Sequence, residues 1–173
     1  MGKLILISGE NNSGKSGYAE KLAAFAGEKR FYIATMLPKT EENTRRIEKH
    51  IRQRAELNFK TLELPYCGAE GAVPPDSVVL LEDVSNLLSN EIFEKGGDGE
   101  AVFSYICKLR ERSETLVAVT ISNLNSADYD GETAAYIDAL NKLNQALSQR
   151  AEVDIRMEGG APVFLKGALP HAD

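Results

Sequence analysis

Gly9-Glu10-Asn11-Asn12-Ser13-Gly14-Lys15-Ser16, directly after the apolar run Leu4-Ile5-Leu6-Ile7, decides how the chain is read. The form is G-x-x-x-x-G-K-[ST], a loop that joins a buried strand to a helix and cradles phosphate. Two glycines let the backbone curl until successive N–H groups point inward at phosphate oxygens, and the dipole of the following helix favours the same negative charge. Lys15 would reach the β- and γ-phosphates, and the Ser16 hydroxyl would ligate Mg²⁺. Gly17 to Phe25 reads as the helix that this motif requires, so nucleotide binding is the working expectation.

Outward from the loop, strand and helix patterns alternate to the end of the chain. That alternation predicts an α/β fold with a largely parallel central sheet. Strands are expected at 30–35, 60–64, 77–83 and 115–121, and helices at 41–57, 84–95, 100–112 and 132–151. A closing strand pair, Val153–Met157 and Val163–Leu165, flanks Gly159-Gly160. Residues 66–76, with Pro74 and Pro75, read as a surface connection. The last residues, through His171 and Asp173, read as a frayed end. The expected architecture is one domain over residues 1–173, a three-layer P-loop NTPase fold of the RecA-like kind with a C-terminal strand pair.

Composition narrows the function. A net charge of −6 leaves no basic footprint for nucleic acid. Cys67 and Cys107 are too few and too far apart for a disulfide framework or a CxxC metal site, and are expected to be reduced thiols. No apolar stretch approaches the roughly 20 residues needed to span a bilayer. With no secretory h-region at the N-terminus, the expected location is the cytoplasm.

Two further constellations carry chemistry. Ser77-Val78-Val79-Leu80-Leu81-Glu82-Asp83 is an apolar strand ending in two carboxylates, the arrangement in which an acid meets the Mg²⁺ held by a phosphate loop. Alternation does not choose between the two acids, and Asp83 can equally cap the helix that follows. In the helix from Glu41, Arg46, His50 and Arg54 follow at intervals of four and are expected to share a face. Ile47, Ile51 and Ala55 are expected to form the adjacent apolar stripe. A histidine between two guanidiniums resists protonation, which keeps an imidazole nitrogen available as nucleophile or base while the arginines hold phosphates.

Taken together, these segments resemble the adenosylcobinamide kinase / adenosylcobinamide-phosphate guanylyltransferase family of cobalamin biosynthesis, over nearly the whole chain. The resemblance begins at the phosphate loop. It continues in Tyr32-Ile33-Ala34-Thr35 (family Y-I-A-T) and Arg46-Ile47-Glu48-Lys49-His50 (family R-I-x-x-H). Arg54 and Thr61-Leu62-Glu63 follow, with Phe59 where the family usually has Trp. Leu80-Leu81-Glu82, Ser85 and Ser89-Asn90 resemble the acidic strand end and T-N segment. Asp138, Asn144 and Gln145, then Pro162 and Leu165-Lys166, resemble the late helix and last strand.

The resemblance implies two reactions on one fold. The terminal phosphate of GTP or ATP passes to the hydroxyl on the aminopropanol arm of adenosylcobinamide. GTP then guanylylates a histidine, and the GMP moves on to the cobinamide phosphate. It places the nucleophile at His50 and the metal acid at Glu82, and it adds Arg46, Arg54 and Glu63 to the loop residues 9–16 as nucleotide-binding positions. It also implies a homo-oligomer, a trimer or related assembly, which would let one subunit's helix help to complete its neighbour's site. The sequence departs from the family after the fifth main strand. There the family has V-T-N-E-V-G-x-G and this chain has Val119-Thr120-Ile121-Ser122-Asn123-Leu124-Asn125-Ser126, with no acid and no glycine. In the late helix, Ile137 and Asn141 replace an arginine and a glycine. These changes spare the phosphate machinery and alter the loop that would close over base or acceptor, the mark of a diverged member with altered substrate or reduced activity.

Overall fold

A computed structural model describes residues 2–169; the tail with His171 lies outside the described residues. In chain order the elements are β1 (Lys3–Gly9), α1 (Lys15–Ala26), β2 (Arg30–Ala34), α2 (Glu41–Arg54), β3 (Lys60–Glu63), β4 (Val78–Leu81), α3 (Val84–Lys95), α4 (Gly99–Arg112), β5 (Thr115–Ile121), α5 (Gly131–Arg150), β6 (Val153–Glu158) and β7 (Ala161–Lys166). The seven strands form one sheet in the order β3-β2-β4-β5-β1-β6-β7. All neighbours are parallel except the β6–β7 pair.

The central strands are apolar on both faces, so each demands cover on both sides. In β1, Leu4 and Leu6 point into a core shared with α3, α4 and α5, where Leu87, Leu88, Ile106, Leu109, Leu140 and Leu147 are fully buried. Ile5 and Ile7 point the other way, against Ala19, Leu22 and Ala23 of α1. The result is three layers, with the phosphate loop emerging from the middle of the sheet's C-terminal edge. β5 lies between β1 and the acidic strand β4, so the gap between loop and carboxylates is one strand wide.

Several expectations change in detail. The helix expected to reach residue 57 ends at Arg54 and tightens into a 3₁₀ turn, Ala55–Leu57. Its expected apolar stripe is not a core face: Ile51 is 49% exposed, and the only buried residue of α2 is Arg54. The expected surface connection at 66–76 sends Val73 into the core, with no measurable exposure. β7 is exposed along its whole length, Phe164 and Leu165 included, because it has a neighbour on one edge and no helix over it among the described residues.

Candidate functional site

The loop between β1 and α1 takes its shape from left-handed residues. Asn12 has φ 61° and Gly14 φ 85°, and Gly14 caps α1. A side chain at Gly14 would be strained there. At Gly9 a Cβ would collide with the Ser13 side chain and stand 3.3 Å from that of Met157. The turn is closed by Ser13 N donating to Glu10 O (3.2 Å) and by Lys15 Nζ donating to the same oxygen (3.1 Å). The ammonium is thus held back over the loop, where a phosphate can draw it out. Burial lowers the Lys15 pKa, with Asp83 opposing and Arg46 adding to the shift.

A cavity of about 580 Å³ opens over this loop, walled by Asn11 to Gly17 on one side and by α2 on the other. α2 contributes Glu42, Arg46, Lys49, His50 and Gln53. A smaller cavity of about 200 Å³ continues inward, sharing Asn11, Lys15, Ser16, Arg46 and His50, and ends on Glu82 and Asp83. His50 therefore stands between the loop and the carboxylates. Its Nδ1 is buried without a partner among the described residues. Burial lowers its pKa first, and Arg54, Arg46, Lys49 and Lys15 lower it further by charge, which leaves the ring neutral and its lone pair free near pH 7.

Both carboxylates are pushed above their ordinary range, chiefly by burial. Their partners divide their work. Glu82 Oε2 accepts from Thr35 N (3.2 Å), with Tyr32 as a further partner. Asp83 Oδ1 accepts from Ser85 N (2.9 Å), Asn86 N (3.4 Å) and the Ser85 hydroxyl, so Asp83 is the cap of α3. Ser16, Glu82 and Asp83 give one cavity a hard-oxygen character that fits Mg²⁺. Among the described residues no three His, Cys, Asp or Glu converge on a point, so such an ion would draw most of its ligands from phosphate and water.

Of the residues singled out in the sequence, Asn11 to Ser16, Arg46, His50 and Glu82 meet at these cavities. Gly9 ends β1 beneath the loop, and Glu10 points away, accepting from Asn123 Nδ2 (3.1 Å). Glu63, exposed on β3, stands outside both walls. Arg54 also does not reach the cavity. Its guanidinium lies 3.6 Å from the centre of the Tyr32 ring and donates to Thr61 Oγ1 (3.1 Å), facing Glu20 and Glu82 below. Lys49 is the second α2 arginine or lysine that lines the larger cavity, beside Arg46. Glu42, Lys49 and Gln53 escape the sequence reading, although 42, 46, 49/50 and 53 trace a single helical face.

The altered loop after β5 is fixed rather than loose. Asn144 Nδ2 donates to Ile121 O (2.9 Å), Asn141 Nδ2 to Leu124 O (3.0 Å), and Ser122 N to Gly9 O (3.1 Å).

Residues 5–165 match the family model described as cobinamide kinase / cobinamide phosphate guanyltransferase, CobU. The chain belongs to this family. It is 29% identical over 170 residues to the bifunctional adenosylcobalamin biosynthesis protein CobP of Pseudomonas aeruginosa, covering 94% of this chain and 96% of that protein. It is 37% identical over 98 residues to the bifunctional adenosylcobalamin biosynthesis protein CobU of Escherichia coli, a match that spans 55% of this chain and only 53% of that protein. Among solved structures, an ATPase domain superposes with a TM-score of 0.54 at 11% identity, covering 95% of this chain and 77% of that one. At that identity the likeness speaks for the fold alone, a P-loop NTPase domain. No helix among the described residues is long and apolar enough to cross a membrane.

Proposed function

We propose that this family member is a bifunctional transferase of cobalamin biosynthesis, acting first as an adenosylcobinamide kinase and then as an adenosylcobinamide-phosphate guanylyltransferase. The carrying observation is that Lys15, Ser16, Arg46 and His50 line one cavity. In the kinase half, the hydroxyl oxygen on the aminopropanol arm attacks the γ-phosphorus of GTP or ATP, the bond from that phosphorus to the bridging oxygen breaks, the nucleoside diphosphate leaves and the hydroxyl proton passes to water. Such transfers need positioning and charge neutralisation more than covalent help. The loop amides, Lys15 and Arg46 supply both. Mg²⁺, held through Ser16 and Glu82, would add charge neutralisation at the phosphates when bound.

In the second half, the neutral His50 ring attacks the α-phosphorus of GTP. A P–N bond forms, the bond to the β-phosphate breaks and pyrophosphate leaves. An oxygen of the cobinamide phosphate then takes the GMP and frees the histidine. Arg46, Lys49 and Lys15 around the ring stabilise the charge that develops on the α-phosphate. We place the enzyme in the cytoplasm as a homo-oligomer.

The fixed loop at 121–126 favours a second reading, a small-molecule kinase without the covalent step or a nucleotide sensor without turnover, because it departs from the family where the acceptor or base would be covered. One experiment separates them. Protein incubated with Mg²⁺ and GTP labelled at the α-phosphate should carry an acid-labile, base-stable label after denaturation. The label should be absent in His50→Ala and in Lys15→Ala. Phosphoryl transfer without label would establish the kinase, and bound GTP with neither would establish the sensor.

A further inference from the structure

The inner cavity has an annex that lies away from the phosphate loop. A space of about 210 Å³ lies between the β2–α2 connection and α3, and it shares Met36, Arg46 and Asn86 with the inner cavity. No residue of the phosphate loop lines it. At roughly 30 Å³ per water it holds about seven waters' worth of ligand, enough for a short branched chain and too little for a nucleoside with its phosphates. The 580 Å³ cavity on the other side of His50 has room for the nucleotide.

The lining has a definite chemistry. Asn86 Nδ2, in the wall common to both spaces, is buried and has no acceptor among the described residues, a desolvated donor whose cost a ligand oxygen would remove. Two other amides are locked with their carbonyl ends left over. Asn90 Nδ2 donates to Thr35 O (2.7 Å) and Pro65 O (2.9 Å), and Asn43 Nδ2 donates to Leu37 O (3.1 Å). Phe93, half-exposed and tilted against Tyr136 at 6.0 Å, supplies an apolar flank with Met36. The ion pair of Lys39 with Glu94 stands at the exposed rim.

We propose that this annex is the subsite for the acceptor's arm, a short amide-linked chain ending in a hydroxyl or its phosphate ester, with Asn86 donating to the terminal oxygen and Asn43 and Asn90 accepting from the amide N–H. The inference rests on the transferase reading above. It places the acceptor oxygen on the α3 side of the inner cavity, with the phosphates entering from the loop side, so that donor and acceptor meet beside His50 and the carboxylates.

Two variants test it. Asn86→Ala removes the unpartnered donor, and Ser89→Leu fills the annex from α3. Each is assayed for covalent label from α-labelled GTP without acceptor, and for transfer to cobinamide and to cobinamide phosphate. Labelling should stay within about twofold of the wild type, and the acceptor KM should rise by about tenfold or more, a change of about 1.4 kcal/mol. An acceptor KM unchanged in both variants overturns the subsite, as does a label that falls in step with transfer. Asn86→Ala decides alone if Ser89→Leu misfolds, because it removes a group with no partner. Wild-type protein that neither takes label nor phosphorylates cobinamide overturns the transferase reading and the subsite with it; an active wild type with indifferent variants overturns the subsite only.

Discussion

At the scale of single residues, burial and neighbouring charge shift the titration of the side chains around the cavity. His50 is surrounded by Lys15, Arg46, Lys49 and Arg54, and burial and charge both disfavour its imidazolium. Its NMR titration midpoint should fall below the ordinary 6.5, and the acid limb of GTP labelling should lie below that pH too. Arg46→Gln removes one of the four charges and should move the midpoint up toward 6.5; an unmoved midpoint would mean that the Arg46 charge does not act on the ring. Beneath, Glu20 is 3% exposed, has one oxygen without a partner among the described residues, and is pushed up to about 7 from 4.5 by burial, against the pull of Arg54 and with the push of Glu82. The folded state then holds a proton that the unfolded chain has released. The stability Glu20 contributes is complete below pH 4.5 and lost as pH rises through about 7. Glu20→Gln should remove that slope, so urea midpoints of variant and wild type, compared at pH 4.5 and pH 8, should diverge in the variant's favour at the higher pH.

At the scale of elements, α2 is the exception to the packing of the rest. It buries a single side chain, Arg54, one turn beyond His50, and fastens it to β2 through Tyr32 and to β3 through Thr61. Arg54 is thus a positioning residue for the helix that carries His50. Arg54→Met should cost about 1–3 kcal/mol of stability, in the range for breaking a buried polar network. It should lower the labelling rate at saturating GTP about tenfold while leaving the GTP KM within a few-fold; a raised KM with an unchanged rate would instead mark a phosphate ligand. Arg54 lies off the face of α2 that lines the cavity for a geometric reason. Eight residues turn the helix by about 800°, roughly 80° past two full turns, so a residue eight positions on from Arg46 has rotated off its face. Other elements are legible because local chemistry suffices: the glycine spacing of the loop, the two-faced apolar strands, and Asp83 as a cap. The Val73 plug and the annex beside Asn86 are not, since both depend on which loops meet across the sheet, and no periodicity encodes that.

At the scale of the whole molecule, the site is assembled by the order of the strands. β1 delivers the loop and β4 the carboxylates, β5 separates them, and α2 spans the gap from the same chain. Lys15 and His50 of one chain face one cavity, so a site of this geometry can be complete within one chain, whereas the family resemblance allows one subunit's helix to help complete its neighbour's site. A mixture of copies tests this. Lys15→Ala and His50→Ala chains, each unable to take label alone, are co-expressed and purified together as mixed assemblies. With sites complete in one chain, every site in the mixture lacks one group, and the label from α-labelled GTP should stay at background. If α2 instead serves its neighbour, random mixing in a symmetric ring pairs an intact loop with an intact α2 in about one quarter of sites, and about that fraction of wild-type label would return. The exposed flank of α2 at Ile51 and the open edge of β7 at Phe164 and Leu165 stand apart from this test, because neither borders the cavity that holds Lys15 and His50.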